Sequence, residues 1–370
     1  MSKTMHSQRD IGLDISRIVA FISVACVHFF LNTGFYQQPV VGIQMYLMVL
    51  LRTMFMVCVP MFILLTGYLM SNRNIDTTPK ALGAFYRHQF PIWLSYVLAT
   101  TLIILYRTVI LHEPFTIAGT MQNILGFSQY SWYVNMYLGF SLLIPFINLI
   151  WKGISSKNGA KVLLLILFVL TALPSVLNTF DFQTPGALGQ PWLAVSNMKI
   201  VPDWWTSIYP ITYFFIGAYL KKYVNIKSLR TGWLMLLFIL SVILFTANNI
   251  WRSYSKPFVW GIWQDWGSLQ NMINAVLLFL ILNSFCYPKG FQLGKRFLSY
   301  ISSLTFSAYL CSWITDNFLY SRFCEDVPVM ARLQYFPIMV GLTLVGSLVL
   351  AAVIQFAVKV LTSIKIPYRW

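Results

Sequence analysis

Long apolar runs, almost free of Asp, Glu, Lys and Arg, recur from one end of the chain to the other, and the charged residues collect in the stretches between them. A helix rises 1.5 Å per residue, so a run of about 20 residues crosses the roughly 30 Å of hydrocarbon in a bilayer. The pattern predicts spans at 11–34, 43–70, 82–110, 129–152, 159–178, 204–221, 230–248, 267–286, 297–319 and 335–362. The fold class expected is all-α integral membrane, with about ten transmembrane helices and both termini on one side. Spans recur throughout, so residues 1–370 are read as a single membrane domain, with no internal repeat or low-complexity tract. The longest connections on the side opposite the termini, 179–203 and 249–266, are rich in Pro, Gly and Trp.

Composition agrees, since 58% hydrophobic and only 10% charged residues lie far from soluble averages. Charge then orients the chain. With the termini cytoplasmic, 19 of the 26 Lys and Arg fall at inner ends and loops, the side these residues favour. Six fall outside (Arg107, Lys199, Arg252, Lys256, Arg322, Arg332) and Arg52 lies within a span. The net charge of +16 therefore follows from topology and from attraction to anionic lipids, and needs no nucleic acid. The first span is too long for a signal-peptide core and has no small-residue cleavage site, so the N-terminus is expected to be retained. The cysteines (Cys26, Cys58, Cys286, Cys311, Cys324) are scattered, and the histidines (His6, His28, His88, His112) lie on different elements. No disulfide framework, metal site or permanently bound cofactor is expected, nor is there a nucleotide-binding Gly-rich loop.

Ionisable residues inside spans are costly and therefore functional candidates. Asp14, Arg17 and His28 share the first span, Arg52 lies in the second, and Arg87 with His88 near the start of the third. At 100° per residue, Arg17 and His28 differ by only about 20° in azimuth while standing about 16 Å apart in depth, and Asp14 sits one turn before Arg17. Two levels emerge. Arg17 and Arg87 form an inner cationic level suited to phosphates; His28 and Arg52 lie deeper, where an imidazole serves as base and a guanidinium holds developing negative charge. Competing readings stay open at this point: boundary residues reaching headgroups for Arg17 and Arg87, a packing or counter-ion role for Arg52, and a helix-bridging histidine for His28.

These residues, in this order, resemble the acyltransferase-3 family of membrane acyltransferases, which modify surface polysaccharides, lipids and peptidoglycan. Gly12-Leu13-Asp14-Ile15-Ser16-Arg17 is similar to the family's Leu-Asp-x-x-Arg opening, and the spacing of Arg17 and His28 to its Arg-x10-His hallmark. Val59-Pro60-Met61-Phe62 with Thr66-Gly67-Tyr68, Ser131-Trp132-Tyr133-Val134 with Tyr137 and Pro145, and Phe215-Ile216-Gly217-Ala218-Tyr219 resemble later motifs. The resemblance implies an acyl-CoA donor, usually acetyl-CoA, approaching from the cytoplasm, with the histidine near the thioester and the arginines on the donor. Three positions depart from the pattern. Phe90 replaces a second arginine after Arg87. Asn135 stands where some members carry a glutamate, which leaves His28 without that carboxylate. Tyr309-Leu310-Cys311-Ser312 lacks the histidine common in the ninth span. Some relatives also carry an extracellular hydrolase-like domain; this chain ends eight residues after its last expected span, so the membrane domain or a separate protein is expected to complete the transfer.

Nine of the 13 tryptophans (Trp132, Trp192, Trp204, Trp205, Trp251, Trp260, Trp263, Trp266, Trp313) fall in the outer half. An interfacial belt would populate both sides, so the excess suits stacking on sugar rings, with plain loop packing as the alternative. The combined reading is an O-acyltransferase of a cell membrane, expected to be the bacterial cytoplasmic membrane. It moves an acyl group, expected to be acetyl, from acyl-CoA to a hydroxyl of a cell-surface or lipid-linked glycan. His28 and Arg52 are the catalytic candidates and Arg17 and Arg87 the donor contacts, supported by Asp14, Trp132, Tyr133, Asn135 and Tyr137. A glycan or lipid transporter and a non-catalytic scaffold are the rivals from other classes.

Overall fold

The computed structural model describes residues 10–73, 75–127, 129–285, 287 and 292–363. Lys3, His6, Arg9, Cys286, Lys289, Lys365 and Arg369 of the sequence reading lie outside the described residues. The chain is a bundle of α1 Ile11–Asn32, α2 Ile43–Phe55, α3 Cys58–Met70, α4 Pro79–Arg87, α5 Phe90–Val109, α6 Ile117–Leu125, α7 Trp132–Gly153, α8 Lys157–Thr171, α9 Pro174–Leu177, α10 Tyr209–Tyr223, α11 Thr231–Ser253, α12 Leu269–Ser284, α13 Gln292–Asp326 and α14 Phe336–Ser363. Among the described residues, nine helical stretches are long and apolar enough to cross a membrane. The span expected at 204–221 is the shorter α10, entered through a 3-10 turn at Thr206–Ile208. No strand forms among these residues; the extended contacts are two isolated bridges, Pro39 to Pro257 and Val40 to Tyr254.

Prolines explain where expected spans break. Pro60 and Pro91 have no N–H to donate to the carbonyls of Met56 and Arg87, and the chain is interrupted at Met56–Val57 between α2 and α3 and at His88–Gln89 between α4 and α5. The second break separates Arg87, at the end of the short surface helix α4, from the spanning helix α5.

α1 occupies the middle of the bundle, packed by α2, α3, α12, α13 and α14. α11 and α14 turn many apolar side chains outward, Leu236, Leu240, Val349 and Val353 among them, as suits helices that face lipid. Outside the spans, the 179–203 connection is folded by two side chains. Asp181 accepts from the backbone N–H of Gln183, Thr184, Val195 and Ser196 and from the Thr184 hydroxyl, bonds that hold its carboxyl well below the usual carboxylate range. Asn178 accepts from Ile200 N–H and Val201 N–H and donates to Val201 O.

α3 and α10 pack closely, and glycine makes this possible. A Cβ on Gly67 would run into the carbonyl oxygen of Phe214, and one on Gly217 into that of Leu64. Small residues let helix backbones approach where lipid offers no hydrophobic drive, so Thr66-Gly67-Tyr68 and Phe215-Ile216-Gly217 are two sides of one contact. Replacing Gly67 or Gly217 by Ala, and more so by Val, is expected to force the helices apart and cost about 1–3 kcal/mol or more. Thermal unfolding in detergent checks this; Gly217→Val melting with the parent would rule it out.

Candidate active site

Residues 17, 24, 28 and 31 follow one another at helical spacing, and Arg17, Val24, His28 and Leu31 line one side of a cavity of about 530 Å³. The rest of the wall comes from α3 (Val59, Phe62, Leu65), α5 (Pro91, Ile92, Ser95), α7 (Tyr133, Tyr137) and the α13–α14 pair. Arg17 at one end is joined by Ser303, Gln355 and Lys359; His28 at the other is joined by Tyr130, Trp132, Trp260 and Trp266. The cavity therefore runs through the depth of the bundle, polar at its ends and mainly apolar between.

His28 is 7% exposed, and its Nδ1 lies 3.1 Å from Oδ2 of Asp316 on α13, itself 1% exposed. The other carboxylate oxygen of Asp316 accepts from the Thr343 hydroxyl of α14 at 2.9 Å. An ionised carboxylate only accepts, so its pairing assigns a hydrogen to Nδ1; in the neutral imidazole the lone pair is then on Nε2. Tyr130 packs its ring on the imidazole with centroids 3.8 Å apart. Asn32 donates to both the His28 carbonyl and the Tyr130 hydroxyl, which fixes the three relative to one another. The Tyr309 hydroxyl donates to the Tyr130 carbonyl. An imidazole held by a carboxylate that is itself fixed by a hydroxyl has the geometry that general-base chemistry requires.

His28 does without the fourth-span carboxylate and pairs with a different one. The partner comes from α13, whereas Asn135 is exposed on α7 and is not part of the cavity wall. The signal for Asp316 is present in the sequence as an acid inside the apolar run 297–319, but only packing shows which residue it meets.

At the opposite end Arg17 donates to the Ser302 hydroxyl at 2.9 Å and lies 3.7 Å from the buried Asp14 carboxylate, so the expected support of Arg17 by Asp14 is present in the geometry. Arg87 is not brought there. It is exposed on α4 and absent from the wall. The side chain that joins Arg17 at this mouth is Lys359 of α14. Nor does Arg52 reach the cavity. It is 0% exposed, with Nε donating to the Tyr36 hydroxyl at 2.8 Å and Nη1 to Oε1 of Gln264 at 2.5 Å. The rings of Phe258 and Trp260 lie 4.7 Å from its Cζ. Of these neighbours Trp260 is part of the wall, which puts the guanidinium one ring behind it and out of line with the oxyanion role expected of it. Trp132, Tyr133 and Tyr137 do line the cavity, whereas Trp192, Trp204, Trp205, Trp251, Trp263 and Trp313 do not.

A family model described as an acyltransferase domain matches residues 10–352. No curated protein and no solved structure gives a significant match. The matched stretch begins at the residue that caps α1 and extends into α14, so it takes in His28, Asp316 and Thr343, the main wall helices and nearly the whole chain. This multi-pass, all-α protein belongs to the acyltransferase-3 family of membrane acyltransferases.

Proposed function

We propose that the protein is an O-acyltransferase that moves an acetyl group from acetyl-CoA to a hydroxyl of a cell-surface or lipid-linked glycan. The observation that carries this reading is that Arg17 and the Asp316-paired His28 line one cavity, about 16 Å apart along α1. That distance is of the order of an extended pantetheine arm. In this reading both termini are cytoplasmic, in a bacterial cytoplasmic membrane, with Arg17 and Lys359 at the inner mouth to receive the donor phosphates. The membership in a family of acyltransferases supports transfer over transport.

The chemistry follows from the pairings. Nε2 of His28 takes the proton from the acceptor hydroxyl as its oxygen attacks the thioester carbonyl. The tetrahedral intermediate collapses with loss of the C–S bond, and the CoA thiolate leaves with the proton that His28 had taken. Asp316 stabilises the imidazolium between these steps, while the Thr343 bond keeps the carboxylate in place. Tyr130, whose ring packs on the imidazole and whose hydroxyl accepts from Asn32 and meets the Asp316 carboxylate, holds the base and its carboxylate together.

The test is transfer of labelled acetyl from acetyl-CoA to de-O-acetylated surface glycan by the reconstituted protein. Loss of a general base costs about 10²–10⁴-fold; His28→Gln and Asp316→Asn are both expected to fall within that range with normal amounts of folded protein, and Thr343→Val to fall less. Parent-like turnover in His28→Gln would make the residue a packing element and remove the mechanism.

Donor binding separates the two arginines. Arg17→Ala is expected to weaken acetyl-CoA binding by about tenfold or more, the loss of one charge-assisted phosphate contact, and Arg87→Ala to leave it within twofold. Calorimetry on purified variants decides, and equal losses in both would restore Arg87 to the donor site. For orientation, single cysteines at Thr77 and Val195 are expected to label from the cytoplasm and from the exterior respectively. The reverse labelling would overturn donor approach from the Arg17 mouth.

A further inference from the structure

At the His28 end of the cavity the wall includes two rings carried by a connecting segment. Residues 254–268, between α11 and α12, bring Trp260 and Trp266 to the cavity. Trp266 stacks on Trp132 of α7 at 5.7 Å with 24° between planes, and meets Trp260 edge-on at 5.8 Å. Trp260 stacks in turn on Tyr36 at 6.1 Å and 17°. Trp132 and Trp260 remain 40% and 38% exposed and Trp266 is half-buried, so the three indoles form a partly accessible rim. The segment is tied down by the bridges of Pro257 to Pro39 and of Tyr254 to Val40, with Val40 N–H donating to the Lys256 carbonyl at 2.9 Å.

Arg52 lies directly behind this rim. Its planar guanidinium holds Tyr36 and Gln264 by hydrogen bonds and the faces of Phe258 and Trp260 by cation–π contact. Gln264 in turn donates to the Val259 carbonyl, so one side chain fixes both flanks of Trp260. Among the described residues no carboxylate pairs with Arg52, and its Nη2 has no hydrogen-bond partner. A hydrophobic side chain of similar volume would fill such a site without the penalty of burying a charge. The residue therefore makes sense as a device that aims the aromatic segment.

We propose that Trp132, Trp260 and Trp266 form the acceptor subsite, stacking on one pyranose ring of the glycan, and that Arg52 is the positioning residue that holds this platform in place. The inference rests on the glycan O-acyltransferase reading and adds the place where the sugar sits. Indole faces match the flat C–H face of a sugar ring, and a ring stacked there presents its hydroxyls beside His28 and Tyr130. A hollow of about 170 Å³ is lined by Asp265 and Gly267, the neighbours of Trp266, together with Asp203, Ser207 and Tyr209. These groups accept and donate to hydroxyls, as the next sugar of a chain requires.

The experiment titrates both substrates with the full-length protein in proteoliposomes, using labelled acetyl-CoA as donor and de-O-acetylated surface glycan, from cells lacking the protein, as acceptor. Trp266→Leu and Arg52→Met are expected to raise the glycan concentration for half-saturation by about tenfold or more, with the donor KM within twofold and kcat within about threefold. Should Arg52→Met fail to accumulate folded, Gln264→Met and Trp260→Leu are read in its place with the same expectation. A fall in kcat at unchanged glycan half-saturation in Arg52→Met would place Arg52 on the reacting atoms, and an unchanged half-saturation in Trp266→Leu would remove the platform; either overturns the proposal. Absence of acetyl transfer by the parent protein under any glycan concentration is a different result, which sinks the glycan O-acetyltransferase reading on which the inference rests.

Discussion

The contact between His28 and Asp316 is the constraint from which much of the bundle can be understood. Both side chains are nearly removed from solvent within spanning helices, where an unpaired ionisable group is expensive. They come from α1 and α13, and the carboxylate needs Thr343 of α14 for its second oxygen. Three helices must therefore meet at one depth and in one rotation. The α13–α14 seam is built for this. Gly346 leaves no room for a Cβ against Thr315, and the hydroxyls of Thr315 and Ser347 bond at 2.8 Å one position along α13 from Asp316. The same logic recurs where α3 meets α10 through Gly67 and Gly217. Small residues set the helix spacing, and polar side chains set the register.

Once α1 is held in the centre, its helical repeat does the rest. Arg17 and His28 are nearly three turns apart on one face, so a single cavity presents a cation at one mouth and a base near the other. The residues between are mostly apolar, and low-polarity surroundings strengthen the electrostatic effect of the few polar groups at the ends. The two mouths also differ in chemistry. Lysine, arginine, serine and glutamine surround one, and stacked aromatic rings surround the other.

Arginine within the spans plays two roles here. Arg17 is part of the cavity wall, whereas Arg52 is enclosed by Tyr36, Phe258, Trp260 and Gln264. A guanidinium can be stabilised by aromatic faces as well as by carboxylates, and that option lets an intramembrane cation serve the architecture of a loop rather than a substrate. Asp181 and Asn178 do comparable work for the 179–203 connection, replacing regular secondary structure with side-chain bonds to the backbone.

The sequence by itself determined the all-α membrane class, the approximate spans, the shared face of Asp14, Arg17 and His28, and the family, because these depend on hydropathy, helical period and motifs that are local along the chain. It identified Trp132, Tyr133 and Tyr137, which line the cavity. Asp316, Thr343 and Lys359 are more than 280 residues from α1, and no local pattern says which of a helix's faces will meet α1. Arg87 is left exposed at the end of α4 and outside the cavity wall, which its spacing from α5 along the chain does not reveal. The enclosure of Arg52 was decided by a loop more than 200 residues downstream folding over α2. Which polar side chains enter the cavity is a property of helix rotation and loop closure, and only packing in three dimensions fixes those.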